Sequence, residues 1–196
     1  PNLDPARLDV AMVIGACLWI PRQLWIELGG FPEWMGSIAE DIYLCCYARF
    51  RGYPVQVAAT SGYRHMQGMS FGGNRASGRK LVSSYRRRIF SERNKSCILF
   101  IFTPNLFFLC VLLMVHFILL AIEGLILSLI SCEKKIVKEI YFNAIKYVMV
   151  NIKKLNNYRK SVQCKKNCLL VDYYNGFSFI PRKLNLLVSY GFHRVK

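Results

Sequence analysis

Apolar residues concentrate in one long run of this chain, and basic residues flank that run on both sides. Residues 106–130 are interrupted only by His116, Glu123, Gly124 and Ser128. A helix of that length reaches roughly 37 Å, against roughly 30 Å of bilayer hydrocarbon. The pattern predicts a helix over residues 106–130 that is long enough to span a membrane. Because Glu123 is costly in lipid, we expect it to face protein, to lie near an interface or to be protonated.

Two other arrangements of this run stay open. A shallow in-plane or re-entrant helix would also bury many of its apolar residues in lipid. A buried core helix of a soluble protein is the third alternative, although soluble helices of this length rarely stay apolar on every face.

The first 78 residues show a shorter-range pattern that is typical of a compact α/β segment. Residues 10–20 form an apolar, strand-like run, and Pro21 then opens a helix that Gly29 closes. A second helix is predicted to start between Ile38 and Glu40 and to end at Gly52, followed by a short strand over residues 53–58. The order strand, helix, helix, strand predicts an α/β fold.

The chain divides into three parts on these patterns. Residues 1–95 form the α/β part, residues 96–130 the membrane-associated hydrophobic segment, and residues 131–196 a basic, partly helical tail. The tail contains a Lys-rich amphipathic stretch that is typical of a helix on a membrane surface.

Charge narrows the choice of partner. The chain has 27 Lys and Arg against 11 Asp and Glu, a net charge of +16, with 54% hydrophobic residues. So many apolar residues exclude a disordered basic arm. Because the basic clusters flank the apolar run, they favour an anionic membrane, and we expect no nucleic-acid partner. A single span would place one cluster on the non-cytoplasmic side, whereas monotopic or hairpin insertion would keep both inside.

The chemistry-bearing residues are few. Glu40 and Asp41 form the only concentrated acidic pair, in the first turn of the second predicted helix. A carboxylate there is stabilised by roughly 0.3–1 kcal/mol, so a purely structural role is one interpretation. A general base is the other, because the same position keeps the carboxylate ionised. His65 lies 24 residues further on, after the predicted strand.

The acid pair is one of five short motifs. In chain order they are a Gly-rich strand followed by a basic residue, a Gly-Gly-Phe turn, the acid pair, an Arg-Gly-Tyr helix end, and a His before a Gly-Ser loop. They occupy residues 15–22, 28–31, 40–45, 51–53 and 65–70. Together they resemble the C-terminal half of a family 2 glycosyltransferase catalytic domain, in the rhamnosyltransferase-like and galactofuranosyltransferase-like subgroup. Residues 85–94 (YRRRIFSERN) and the following apolar segment resemble that family's membrane-associated exit.

The resemblance implies the C-terminal half of a GT-A (Rossmann-like) α/β domain, followed by a hydrophobic membrane-associated helix and a basic helical tail. By the same resemblance Asp41 is the general base of an inverting transfer, Glu40 positions the acceptor or a neighbouring loop, and His65 binds a divalent metal, Mn²⁺ or Mg²⁺. Trp34 and Met35 are expected to face the acceptor, with packing in the core as the alternative for an aromatic side chain at position 34.

The partners implied are a nucleotide-sugar donor and a saccharide or lipid-linked acceptor in cell-surface polysaccharide synthesis. The catalytic part is expected on the cytoplasmic side of an anionic membrane. The family's nucleotide-binding half and its Asp-x-Asp metal motif have no counterpart in residues 1–196, so we expect this chain to be a fragment that is inactive alone. The competing hypothesis is a non-enzymatic membrane-anchoring or interaction module, which has no need of the five ordered motifs.

Overall fold

Helices make up most of the structure. The computed structural model describes residues 8–58, 73–77, 80–178, 182–191 and 194–195. Within these ranges the α-helices are α1 (Arg22–Leu28), α2 (Glu40–Phe50), α3 (Tyr85–Phe102), α4 (Leu106–Ser131), α5 (Asn143–Val150), α6 (Ile152–Gln163), α7 (Leu170–Tyr174) and α8 (Arg182–Tyr190). Short 3₁₀ turns occupy Gly15–Cys17 and Glu33–Met35, and a π-helical segment, Ile136–Phe142, runs directly into α5.

The strands are short and form a small sheet. They are β1 (Gly73–Ser77), β2 (Lys80–Ser83) and β3 (Arg194–Val195), in the order β1-β2-β3. β1 and β2 are antiparallel, with an irregularity between Gly73 and Arg75, and β3 is parallel to β2.

The predicted α/β, Rossmann-like fold is therefore wrong. The two strand-like runs of the first part do meet, but only through one antiparallel bridge between Asp9 and Gln56. The Val10 amide donates to the Val55 carbonyl, and the Val57 amide donates to the Leu8 carbonyl, each over 2.9 Å. Because the described residues supply no further strand beside this pair, no layered sheet forms, and helices carry most of the backbone hydrogen bonding.

The first two predicted helices are confirmed. α1 spans Arg22–Leu28 and ends at Gly29, whose φ of 75° is a left-handed helix cap. α2 begins at Glu40 and ends at Phe50, before Gly52 with a φ of 87°. α2 is almost entirely buried, and it packs against α3 to form the main core. Its C-terminal Phe50 is fully buried against Phe102, the last residue of α3.

The helix predicted over residues 106–130 is also confirmed. Asn105 caps the N-terminus of α4, because its side chain accepts from the amides of Phe107 and Phe108 over 2.7 and 3.3 Å. In the described part of the chain, α4 is the one helix that is long and apolar enough to cross a membrane. Most of its large apolar side chains are exposed, which is atypical of a soluble core helix. The chain is therefore a candidate membrane-associated protein.

Candidate functional site

Asp41 lies in the first turn of α2, half-exposed, with a backbone contact from a distant part of the chain. Its Oδ2 accepts from the amide of Gly15 over 3.1 Å, and its Oδ1 accepts from the amide of Ile42 over 2.8 Å. Gly15 is close enough that a Cβ there would lie 3.4 Å from the Asp41 Cβ. An ionised carboxylate has about four acceptor positions, so Asp41 keeps acceptor capacity towards solvent.

Glu40, the neighbouring acid, has a different environment. Burial raises the pKa of Glu40 above its ordinary value, the charge of Asp41 raises it further, and a backbone hydrogen bond and Arg87 lower it in part. Its Oε2 is buried and has no hydrogen-bond partner among the described residues. The two adjacent acids thus differ in environment: Asp41 accepts from two backbone amides, whereas burial is the largest influence on Glu40 and raises its pKa.

The turn before the acid pair has a strained backbone. Ile38 and Ala39 have φ angles of 69° and 71°, which side chains with a Cβ rarely adopt, and Gly36 has a φ of 70°. Ile38 and Ala39 each destabilise the fold by about 1–2 kcal/mol in this conformation. The turn therefore needs contacts from outside itself to keep this conformation.

Asn94 and Arg93 of α3 supply those contacts. Asn94 is fully buried, and its Nδ2 lies 3.0, 3.0 and 2.7 Å from the carbonyl oxygens of Met35, Ser37 and Ile38. Arg93 donates to the Met35 carbonyl over 2.7 Å and to the Asn94 side-chain oxygen over 2.9 Å. The position of Asp41 thus depends on polar residues in the middle of α3.

The structure separates the two residues expected to face an acceptor. Met35 is 0% exposed and belongs to the core, so only its backbone carbonyl takes part in the contacts of the turn. Trp34 is half-buried, with its ring 5.7 Å from that of Tyr158 and 6.3 Å from that of Tyr43. Its indole Nε1 is buried without a hydrogen-bond partner among the described residues. Trp34 therefore packs partly in the core, which was the alternative expected for an aromatic side chain at this position.

The expected metal ligand, His65, lies outside the described residues. Within the described part of the chain, no three His, Cys, Asp or Glu side chains come together in a way that could hold a metal ion. The described residues therefore do not form a metal site by themselves.

Sequence reasoning missed the polar residues of α3. Asn94 and Arg93 were part of a motif, but nothing in their spacing indicates that they bind the turn before α2. The sequence gives only a weak sign that these residues are buried: the polar residues of α3 continue directly into the apolar end of the same helix. Polar residues in such a position become buried when another element packs over them, and they then need partners.

No family model, curated protein or solved structure matches this chain. Any function assigned to this chain therefore depends on its own residues and contacts.

Proposed function

We propose that this chain provides the acceptor-binding side of a membrane-associated, inverting glycosyltransferase. The enzyme would move a sugar from a nucleotide-sugar to a hydroxyl of a saccharide or lipid-linked acceptor in cell-surface polysaccharide synthesis. The observation that carries the proposal is the hydrogen bond between the Gly15 amide and the Asp41 carboxylate. It joins two of the five motifs, 26 residues apart in the chain, and fixes the orientation of the Asp41 carboxylate.

In this proposal Asp41 accepts the proton of the acceptor hydroxyl. The hydroxyl oxygen then attacks the anomeric carbon of the donor sugar, the bond from that carbon to the diphosphate breaks, and the nucleoside diphosphate leaves with the bonding electrons. The amides of Gly15 and Ile42 each bind one carboxylate oxygen and hold the group in one orientation, and each oxygen keeps a second lone pair for the acceptor hydroxyl. Glu40 would position the acceptor or a neighbouring loop, and the exposed part of the half-buried Trp34 ring would supply a flat surface for a sugar.

A divalent metal belongs to the proposal through the resemblance, with His65 as one ligand. When bound, such an ion neutralises charge on the leaving diphosphate. The role proposed for Asp41 is separate, because a base acts on the acceptor hydroxyl. We place the catalytic part on the cytoplasmic side because both basic clusters would then agree with the positive-inside bias.

The competing proposal is a non-enzymatic membrane anchor or interaction module, and the exposed apolar face of α4 favours it. An anchor needs that face and the basic flanks. It gives no reason for the strained turn that fixes the acid pair.

An assay of the full-length protein in its membrane fraction separates the two proposals. UDP-, GDP- and dTDP-linked sugars would be supplied with Mn²⁺ or Mg²⁺ and with extracted saccharide and lipid-linked acceptors. The enzyme proposal expects acceptor-dependent release of a nucleoside diphosphate and a product of inverted anomeric configuration by NMR. Absence of acceptor-dependent release with every donor, for a protein that circular dichroism shows to be folded, would favour the anchor.

A further inference from the structure

We propose that α4 lies in the plane of one leaflet of an anionic membrane and does not cross the bilayer. This inference rests on the membrane association proposed above, but not on sugar transfer. The length and composition of α4 allow both arrangements, so the elements packed against it decide between them.

One stripe of α4 contacts protein along nearly the whole helix. Leu109, Leu120, Gly124 and Leu127 are buried at helical spacing, from the first turn of α4 to the last. A Cβ on Gly124 would lie 2.9 Å from the ring of Tyr141 in the π-helical segment, so the two backbones approach closely there. The opposite side of α4 exposes large apolar side chains throughout its length.

The polar residues of α4 lie in the protein-facing stripe. His116 is 2.9 Å from the Ser96 hydroxyl of α3. Glu123 accepts from Arg88 over 2.8 Å and from the Lys183 ammonium over 2.6 Å. The charge of Glu123 is thus matched inside the protein, and the outer face of α4 remains apolar.

α3 separates α4 from the candidate functional site. Ser96, which contacts α4, and Asn94, which contacts the turn at residues 35–38, are two positions apart on the same helix. At 3.6 residues per turn they point about 200° apart, on opposite sides of α3. The turn before Asp41 therefore packs beside the middle of the α3–α4 hairpin. If α4 crossed the bilayer, this turn would lie at the depth of the hydrocarbon.

Charged residues occur along the same body. α5 packs on α3 and carries the exposed Lys146. At the N-terminal end of α4, Arg159 of α6 donates to the carbonyls of Thr103 and Pro104, and the adjacent Lys160 is exposed. At the other end, Lys134 is exposed just after α4. These positions suit the headgroups of one anionic leaflet, whereas a crossing would place exposed lysines in hydrocarbon or on the far side.

Membrane depth along α4 tests the proposal. In the full-length protein the five cysteines that are not buried would be replaced by serine, and one cysteine would be introduced at Val111, Ile118 or Leu125, which lie seven residues apart on the exposed face. Each variant would carry a bimane label in vesicles of phosphatidylcholine and phosphatidylglycerol at a 3:1 ratio. Quenching by lipids with nitroxides at the headgroup and at two acyl depths gives the position of each label. A label on Lys146→Cys, an exposed position on α5 at headgroup level, is the control that stays outside the hydrocarbon.

An in-plane helix places all three labels at a similar shallow depth, roughly 5–10 Å below the headgroups, with the Lys146→Cys label unquenched by acyl probes. A spanning helix separates the outer two labels by about 21 Å along its axis, with the Ile118 position near the bilayer centre, and that result would overturn the proposal. Failure of the labelled proteins to float with the vesicles would also overturn the proposal. So would a lack of lipid quenching at all three positions because two copies of the chain pair through α4. None of these results depends on sugar transfer, so the glycosyltransferase proposal is tested separately.

Discussion

Replacing Asn94 with alanine should release the turn that precedes Asp41. The Asn94 side-chain nitrogen has two hydrogens and lies within hydrogen-bond distance of three backbone carbonyls, so at most two full bonds and one shared bond form. Each net bond contributes about 1–1.5 kcal/mol, and the side chain is completely buried. The expected loss in the free energy of unfolding is therefore about 2–3 kcal/mol.

This loss is similar in size to the backbone strain that the bonds oppose. Ile38 and Ala39, at positive φ, together cost about 2–4 kcal/mol. Without Asn94 the turn should relax to a less strained conformation and move Asp41. The variant is therefore expected to lose sugar transfer by more than its lower stability explains. Asn94 acts here as a positioning residue for Asp41.

Chemical unfolding in mild detergent, followed by circular dichroism, measures the stability change. Asn156→Ala, an exposed position on α6, is the matched control and should change stability by less than about 0.5 kcal/mol. If Asn94→Ala were as stable as this control, the turn would not depend on α3. If it were less stable but kept normal transfer at a temperature where it is folded, Asn94 would be structural only.

Three further predictions concern stability in the same detergent. Ala39→Gly should stay within about 1 kcal/mol of the parent, because relief of the positive φ offsets the lost methyl group and the chain entropy of glycine. Ala48→Gly, inside α2, should lose about 1.5–2 kcal/mol, and equal losses would contradict strain at Ala39. Burial alone would raise the pKa of Glu92, but Lys183, Lys95 and Arg88 lower it below the ordinary 4.5, so the stabilising contribution of Glu92 is complete above pH 4.5 and declines below it. Lys183→Met should weaken the fall in melting temperature between pH 7, pH 4.5 and pH 3. An unchanged fall would contradict the pairing of Lys183 with Glu92. Arg49→Lys should lower the free energy of unfolding by about 3 kcal/mol, because the buried guanidinium donates to three backbone carbonyls that an ammonium cannot reach together. A loss below about 1 kcal/mol would contradict this role of Arg49.

Local patterns in the sequence predicted α1, α2 and α4, but not α3. Gly29 and Gly52 end α1 and α2 at the expected places, because a residue at positive φ stops a helix whatever surrounds it. The apolar run of α4 is likewise a property of consecutive residues. The basic flanks left open whether α4 lies in the plane of the membrane or crosses it. Only the packing of other elements against α4 supports the in-plane arrangement.

The fold class could not be predicted in the same way. Residues 10–20 and 53–58 have the composition of strands, but a sheet needs several partners, and strand pairing depends on which segments meet in space. In the described residues these two runs meet only through the Asp9–Gln56 bridge. The positions of Asn94 and Arg49 were unpredictable for a related reason, because their partners are backbone carbonyls, which have no sequence signature.

The candidate site was partly predictable. Glu40 and Asp41 stand in the first turn of a helix, as their position after the turn indicates. Whether Met35 faces an acceptor depended on the path of the chain, and the structure places it in the core. The two acids have the same local sequence signal, and their contacts distinguish them: Asp41 accepts from two backbone amides, whereas the Glu40 Oε2 is buried without a partner among the described residues.

The measurement that tests the proposed function most directly is the rate of sugar transfer by Asp41→Asn in the full-length protein. Asparagine keeps the size of the side chain and can still accept from the Gly15 amide, but it cannot take up the acceptor proton. With saturating donor, acceptor and divalent metal, transfer should fall by roughly 10²–10⁴-fold while donor binding persists, and higher metal concentrations should not restore it. Glu33→Gln, a nearby exposed acid, is the control and should keep the parent rate. Near-normal transfer by Asp41→Asn would contradict the account and would leave the acid with only a structural role at the start of α2.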